Sequence, residues 1–82
     1  MDVGKRIKEI RELKGITQSF INNEMAKSKG WLANIEKGSR QISASDLIEV
    51  AKLMGMSMQE FFSIPFPEEM PGAENKNTSP EE

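Results

Sequence analysis

The chain has 82 residues, 37% of them apolar and 29% charged, and it contains neither histidine nor cysteine. That is enough for one small domain, and it excludes zinc fingers, disulfide scaffolds and nucleophilic or general-base chemistry built on Cys or His. The net charge of −2 divides unevenly, because residues 1–66 carry ten Lys/Arg against eight Asp/Glu while residues 67–82 carry Lys76 against five glutamates.

The first 66 residues are therefore mildly basic, at +2, and the tail is acidic, at −4. A mild positive balance permits phosphate binding where cations gather on one face. No apolar run approaches the ~20 residues of a membrane span, and the N-terminal residues lack a signal-peptide core. The absence of disulfides fits a reducing cytoplasm.

Residues 2–14 read as a helix with Val3, Ile7, Ile10 and Leu13 on or near one stripe. Asp2 is its cap and Lys14-Gly15 suits its end. Lys5, Arg6, Lys8 and Lys14 dot the outer surface among Glu9 and Glu12, a solvated face.

Thr17 to Gly38 reads as two short helices joined by a tight turn. Thr17 caps the first, which has Ile21 and Met25 on its apolar side. Ser28 is the capping candidate for the second, expected over residues 29–37 with Leu32 and Ile35 turned inward. Gly30, Ala33, Asn34 and Lys37 then point outward, with Lys29 and Trp31 on the flanks. This outer face suits a DNA major groove. Lys29 can reach a phosphate or the O6/N7 edge of guanine, Asn34 can bridge adenine N6 and N7, and Ala33 can touch a thymine methyl. Gly30 would let the backbone approach the bases, at a helix cost of about 1 kcal/mol against alanine. Trp31 either packs on the rim of the domain or leans on the DNA backbone. Lys37, Ser39 and Arg40 are placed to hold phosphates beside the groove.

Ser43 with Asp46 resembles a capping box and opens a fourth helix, with Leu47, Val50, Ala51 and Met54 facing inward and Gly55 at its end. Ser57 with Glu60 repeats that signal for a fifth, ending near Phe62. Met54, Met56 and Met58 read as adaptable core packing. Beyond Ser63 the composition shifts to proline, glutamate, asparagine and serine, which reads as a disordered tail with Ile64 and Phe66 available to pin it. The division is thus a folded domain over residues 1–63 and a tail over 64–82.

The ordered set Ile7, Arg11, Gly15-Ile16-Thr17-Gln18, Ile21, Ser28, Leu32, Ile35-Glu36-Lys37-Gly38, Leu47, Val50-Ala51, Met54-Gly55 and Phe61 resembles the helix-turn-helix of the phage repressor and Cro group, the XRE-type regulators. The resemblance runs without gaps over roughly residues 4–62. It implies an all-α, five-helix domain that binds double-stranded operator DNA, in the cytoplasm of a bacterium or encoded by a phage. It also implies a homodimer joined near helix five, a phosphate contact from Gln18, and a structural ion pair between Arg11 and Glu36. The chain departs from the family at Asn22, Ala26 and Lys27, where alanine, glycine and an aliphatic residue are usual. Asn22 must find a partner or lean outward.

The runner-up reading is a protein-interaction module of the same fold, an antitoxin or an antagonist of another regulator, working through Phe66 and the acidic tail. A short restriction–modification controller is a third, within the DNA-binding class. Neither a cofactor nor a metal is expected. Catalysis is not expected either, since the side chains that usually do acid–base work are missing or solitary.

Overall fold

The computed structural model describes residues 2–63, and among these it contains five helices and no strand. They are α1 (Val3–Leu13), α2 (Gln18–Glu24), α3 (Trp31–Lys37), α4 (Ala44–Leu53) and α5 (Met58–Ser63). The fold is the all-α, five-helix arrangement read from the sequence. The expected tail lies outside the described residues. None of the described helices is long and apolar enough to cross a membrane.

Four of the five starts use the capping residues named from the sequence. Asp2 accepts from the Lys5 amide, Thr17 from Phe20, Ser43 from Asp46 and Ser57 from Glu60, at 3.0, 3.0, 3.1 and 3.1 Å. The Ser57/Glu60 box is reciprocal, with the Ser57 N–H donating to the Glu60 carboxylate at 2.9 Å. Ser43/Asp46 is not, because the Asp46 carboxylate lies 3.4 Å from the Lys27 ammonium instead.

The first four helices end in one pattern, in which two consecutive N–H groups fold back onto carbonyls of the last turn around a residue with positive φ. That residue is Gly15, Gly38 or Gly55 in α1, α3 and α4, but Ala26 in α2, at φ +56°. The Ala26 and Lys27 amides donate to the Asn23 and Asn22 carbonyls at 3.1 and 2.9 Å. An alanine here adopts a conformation that L-residues disfavour.

The core gathers the inward faces of all five helices, with Ile7, Ile21, Leu32, Val50, Met54 and Phe61 fully enclosed. α3 packs against both α1 and α2, and α4 against α5. The α1–α3 approach depends on Gly4. A Cβ there would run into the Ile35 carbonyl oxygen and lie 3.2 Å from the Glu36 Cα.

Two expectations for α1 are corrected. Leu13 is 66% exposed, because at about 100° per residue it falls on the flank of the stripe, where Arg11 takes the inward place. Arg6 is not on the outer surface but 3% exposed. Its Nε donates to the Phe61 carbonyl and its guanidinium lies 5.8 Å from the centre of the Phe61 ring. A buried cation is tolerated when its donors are satisfied, and here it ties α1 to α5. Of the three methionines, Met54 and Met56 are buried and Met58 is half-buried.

Candidate nucleic-acid interface

α3 begins at Trp31, with Gly30 as its cap residue and no side-chain cap of its own. This corrects the start at residue 29 and the capping role of Ser28. Ser28 instead offers its carbonyl to the Trp31 amide at 3.1 Å, closing a turn over residues 28–31. The missing cap comes from α2. Asn22, 4% exposed, accepts from the Leu32 amide at 3.1 Å through Oδ1 and donates through Nδ2 to the Lys29 carbonyl at 2.8 Å. The polar group that sequence reasoning found awkward is thus satisfied at both ends.

Leu32 and Ile35 are buried beneath α3. Lys29 and Gly30 are exposed, and Ala33 and Asn34 are half-buried. Gly30 stands at the cap position and not inside the helix, where glycine is well accepted, so the expected helix penalty does not apply. A Cβ added to it would meet only the Asn34 amide nitrogen, at 3.8 Å. The protein's own packing therefore does not require glycine at this place.

α3 is held on its other side by a charged network. Arg11 grips Glu36 with two bonds, Nε to Oε2 at 2.8 Å and Nη2 to Oε1 at 3.0 Å, and its Nη1 donates to the Ile16 carbonyl at 2.8 Å. Gln18 donates through Nε2 to the same Glu36 Oε1 at 2.8 Å. The carboxylate side chain is 3% exposed, so three charge-assisted bonds replace its water. The hydrogen bond to Glu36 raises the Arg11 guanidinium above its ordinary range against the lowering effect of burial. With a raised folded-state value, the stability this cation contributes is present at every pH below the ordinary arginine range and lost only above it.

The expected phosphate contacts are differently placed. Lys37 and Arg40 are exposed, and their side chains make no hydrogen bond or ion pair among the described residues. The Ser39 hydroxyl and backbone N–H both donate to the Asn34 carbonyl, at 3.2 and 3.0 Å, and the Arg40 N–H joins them at 3.2 Å. A phosphate contact from the Ser39 hydroxyl would have to break that bond. Gln18 has one amide N–H engaged by Glu36 and one left over. Trp31 is a core residue, 5% exposed, with the Lys27 ammonium 5.2 Å from its ring centre. Of the two placements open to the indole, packing against the domain is the one observed, and little of the ring is left exposed for a DNA backbone. Lys27, at the place where the family usually has an aliphatic residue, lies over this ring with its ammonium directed to Asp46 on α4.

Arg6, Gly4 and Asn22 are the structural determinants that sequence reasoning missed or left without a role. A glycine in the first turn of a strong helical pattern is a usable signal for close packing. An arginine among surface lysines gave none.

A short helix whose inner face is fixed by core and charge, reached through a tight turn from the helix before it, defines a helix-turn-helix domain. Residues 7–61 match the helix-turn-helix family. That is more than half of the chain, and the protein belongs to this family of XRE-type, DNA-binding regulators. No curated protein and no solved structure matches it.

Proposed function

We propose that the chain binds double-stranded DNA at specific sequences as a small transcriptional regulator, with α3 in the major groove. One observation carries this reading. α3 is fastened from within by Leu32, Ile35, Asn22 and the Arg11–Glu36–Gln18 network, while Lys29, Gly30, Ala33 and the Asn34 side chain make no hydrogen bond or ion pair through their side chains among the described residues. A rigid support with an uncommitted polar face is what base readout needs. Lys37 and Arg40 hold flanking phosphates, with Gln18 offering its remaining amide N–H.

A single domain of this size has a small footprint, and useful affinity calls for two copies on half-sites about 34 Å apart. Ile48 and Phe62 are exposed on α4 and α5 and provide apolar surface for a second copy.

Selection of bound duplexes from a random pool, followed by titration at several salt concentrations, tests the reading. The expected result is an enriched motif with affinity falling steeply as salt rises. Asn34→Ala should flatten base preference with the salt slope unchanged, while Arg40→Ala should lower the slope by about 1. Equal loss on selected and random duplexes for Asn34→Ala would remove that residue from base readout. A chain that binds no duplex yet forms a stoichiometric complex with another protein would instead be an interaction module.

A further inference from the structure

Asn22 is buried on α2, and both the oxygen and the nitrogen of its amide bond to the backbone at the start of the next helix. Its two bonds bracket Gly30, one on the Lys29 carbonyl and one on the Leu32 amide. The Leu32 N–H belongs to the first turn of α3, the place normally served by the helix's own cap residue. Gly30 has no side chain with which to serve it. The start of the recognition helix is therefore set from the preceding helix, at the two residues that lead the outward face.

Other groups near the turn do not do this. Lys27 is directed to Asp46 and the Trp31 ring, and the Arg11–Glu36–Gln18 network grips the far end of α3. Without Asn22, the bonds left around the Lys29–Gly30 segment among the described residues are that from the Trp31 amide to the Ser28 carbonyl and that from the Asn34 amide to the Gly30 carbonyl. Both are local and neither refers the segment to α2.

We infer that Asn22 is a positioning residue for base recognition: it fixes how Lys29 and Gly30 are presented to a base edge and does not itself touch DNA. The inference rests on the proposed DNA-binding function. Its signature is a change in specificity, which a residue important only for stability would not produce.

The test uses the full chain and a duplex selected by the wild type, compared with a scrambled duplex of equal length. Affinities are measured for the wild type, Asn22→Ala and Val50→Ala, the last a core control on α4, under conditions in which circular dichroism shows each to be folded. Asn22→Ala is expected to reduce the selected-to-scrambled ratio on the order of 10-fold, the discrimination of one good base contact, with an unchanged salt slope. Val50→Ala is expected to keep the ratio. Amide exchange at Leu32 should accelerate in Asn22→Ala beyond any general loss of protection.

If Asn22→Ala does not fold, Asn22→Asp serves in its place. It retains an acceptor for the Leu32 N–H, with its charge at a helix start, but it sets a carboxylate oxygen against the Lys29 carbonyl, where two acceptors repel, so the Lys29 side of the clamp opens and a fall in the ratio is again expected. An unchanged ratio in whichever variant folds overturns the inference alone. A wild type with no preference between duplexes overturns the functional reading and this assignment with it, while Leu32 exchange still reports whether the clamp exists.

Discussion

Ala26 holds the left-handed conformation that Gly15, Gly38 and Gly55 hold at the ends of α1, α3 and α4, which makes Ala26→Gly an internally referenced experiment. The left-handed region costs an L-residue about 1–2 kcal/mol. Glycine removes that cost but loses more chain entropy on folding, which takes back roughly 0.4–1 kcal/mol. Ala26 is exposed, so deleting its methyl forfeits little burial. The balance is a gain of about 0.5–1 kcal/mol, or roughly 2–8 °C in Tm for a domain of this size. The reverse changes, Gly15→Ala and Gly55→Ala, should lose a similar amount. A Cβ at either place meets nothing within 4 Å, so only the backbone term acts. Thermal and urea unfolding at constant m-value would measure all three. An unchanged or lower Tm for Ala26→Gly, with the two reverse variants destabilised, would refute the reasoning that the α2 end is strained.

Gly4→Ala should destabilise by about 1–3 kcal/mol, read by urea unfolding, because the new methyl meets the Ile35 and Glu36 backbone; in an exposed helix the same change would stabilise. Arg11→Ala should cost roughly 3–5 kcal/mol by leaving the enclosed Glu36 carboxylate with only Gln18. In a double-mutant cycle, adding Glu36→Ala should then cost much less than it does alone, and additive losses would mean that the pair is not coupled. Gly30→Ala should change stability by less than about 1 kcal/mol, since the site is a cap position with room for a methyl. A much larger loss of affinity for the selected duplex would show that the DNA, and not the protein, excludes the side chain.

Helix number, the capping residues Asp2, Thr17, Ser43 and Ser57, and the inward set on α3 and α4 were legible because each rests on local chemistry within one or two turns. Features set by contacts between distant segments were not. Arg6 looks like its lysine neighbours until α5 folds back to offer the Phe61 carbonyl. Trp31 sat at the edge of a predicted face, and the core it enters became visible only with Lys27 and α4 in place. Asn22 was identifiable as a polar residue in need of a partner, but that partner is backbone seven to ten residues away across a turn whose start was misplaced. On α3, Gly30 and Lys37 are exposed and Ala33 and Asn34 half-buried on the side the periodicity turns outward, while Trp31 on its flank is buried; the chemistry of that face toward DNA rests on the proposed function.

The most direct measurement of that central claim is the change in backbone amide chemical shifts as a selected duplex is added to the full chain. The largest changes are expected at Lys29, Gly30, Ala33 and Asn34, with a second group at Gln18, Lys37 and Arg40, and small changes through the buried face of α4. Shifts centred on Ile48 and Phe62 with α3 unmoved, or no shifts at low salt, would contradict that claim.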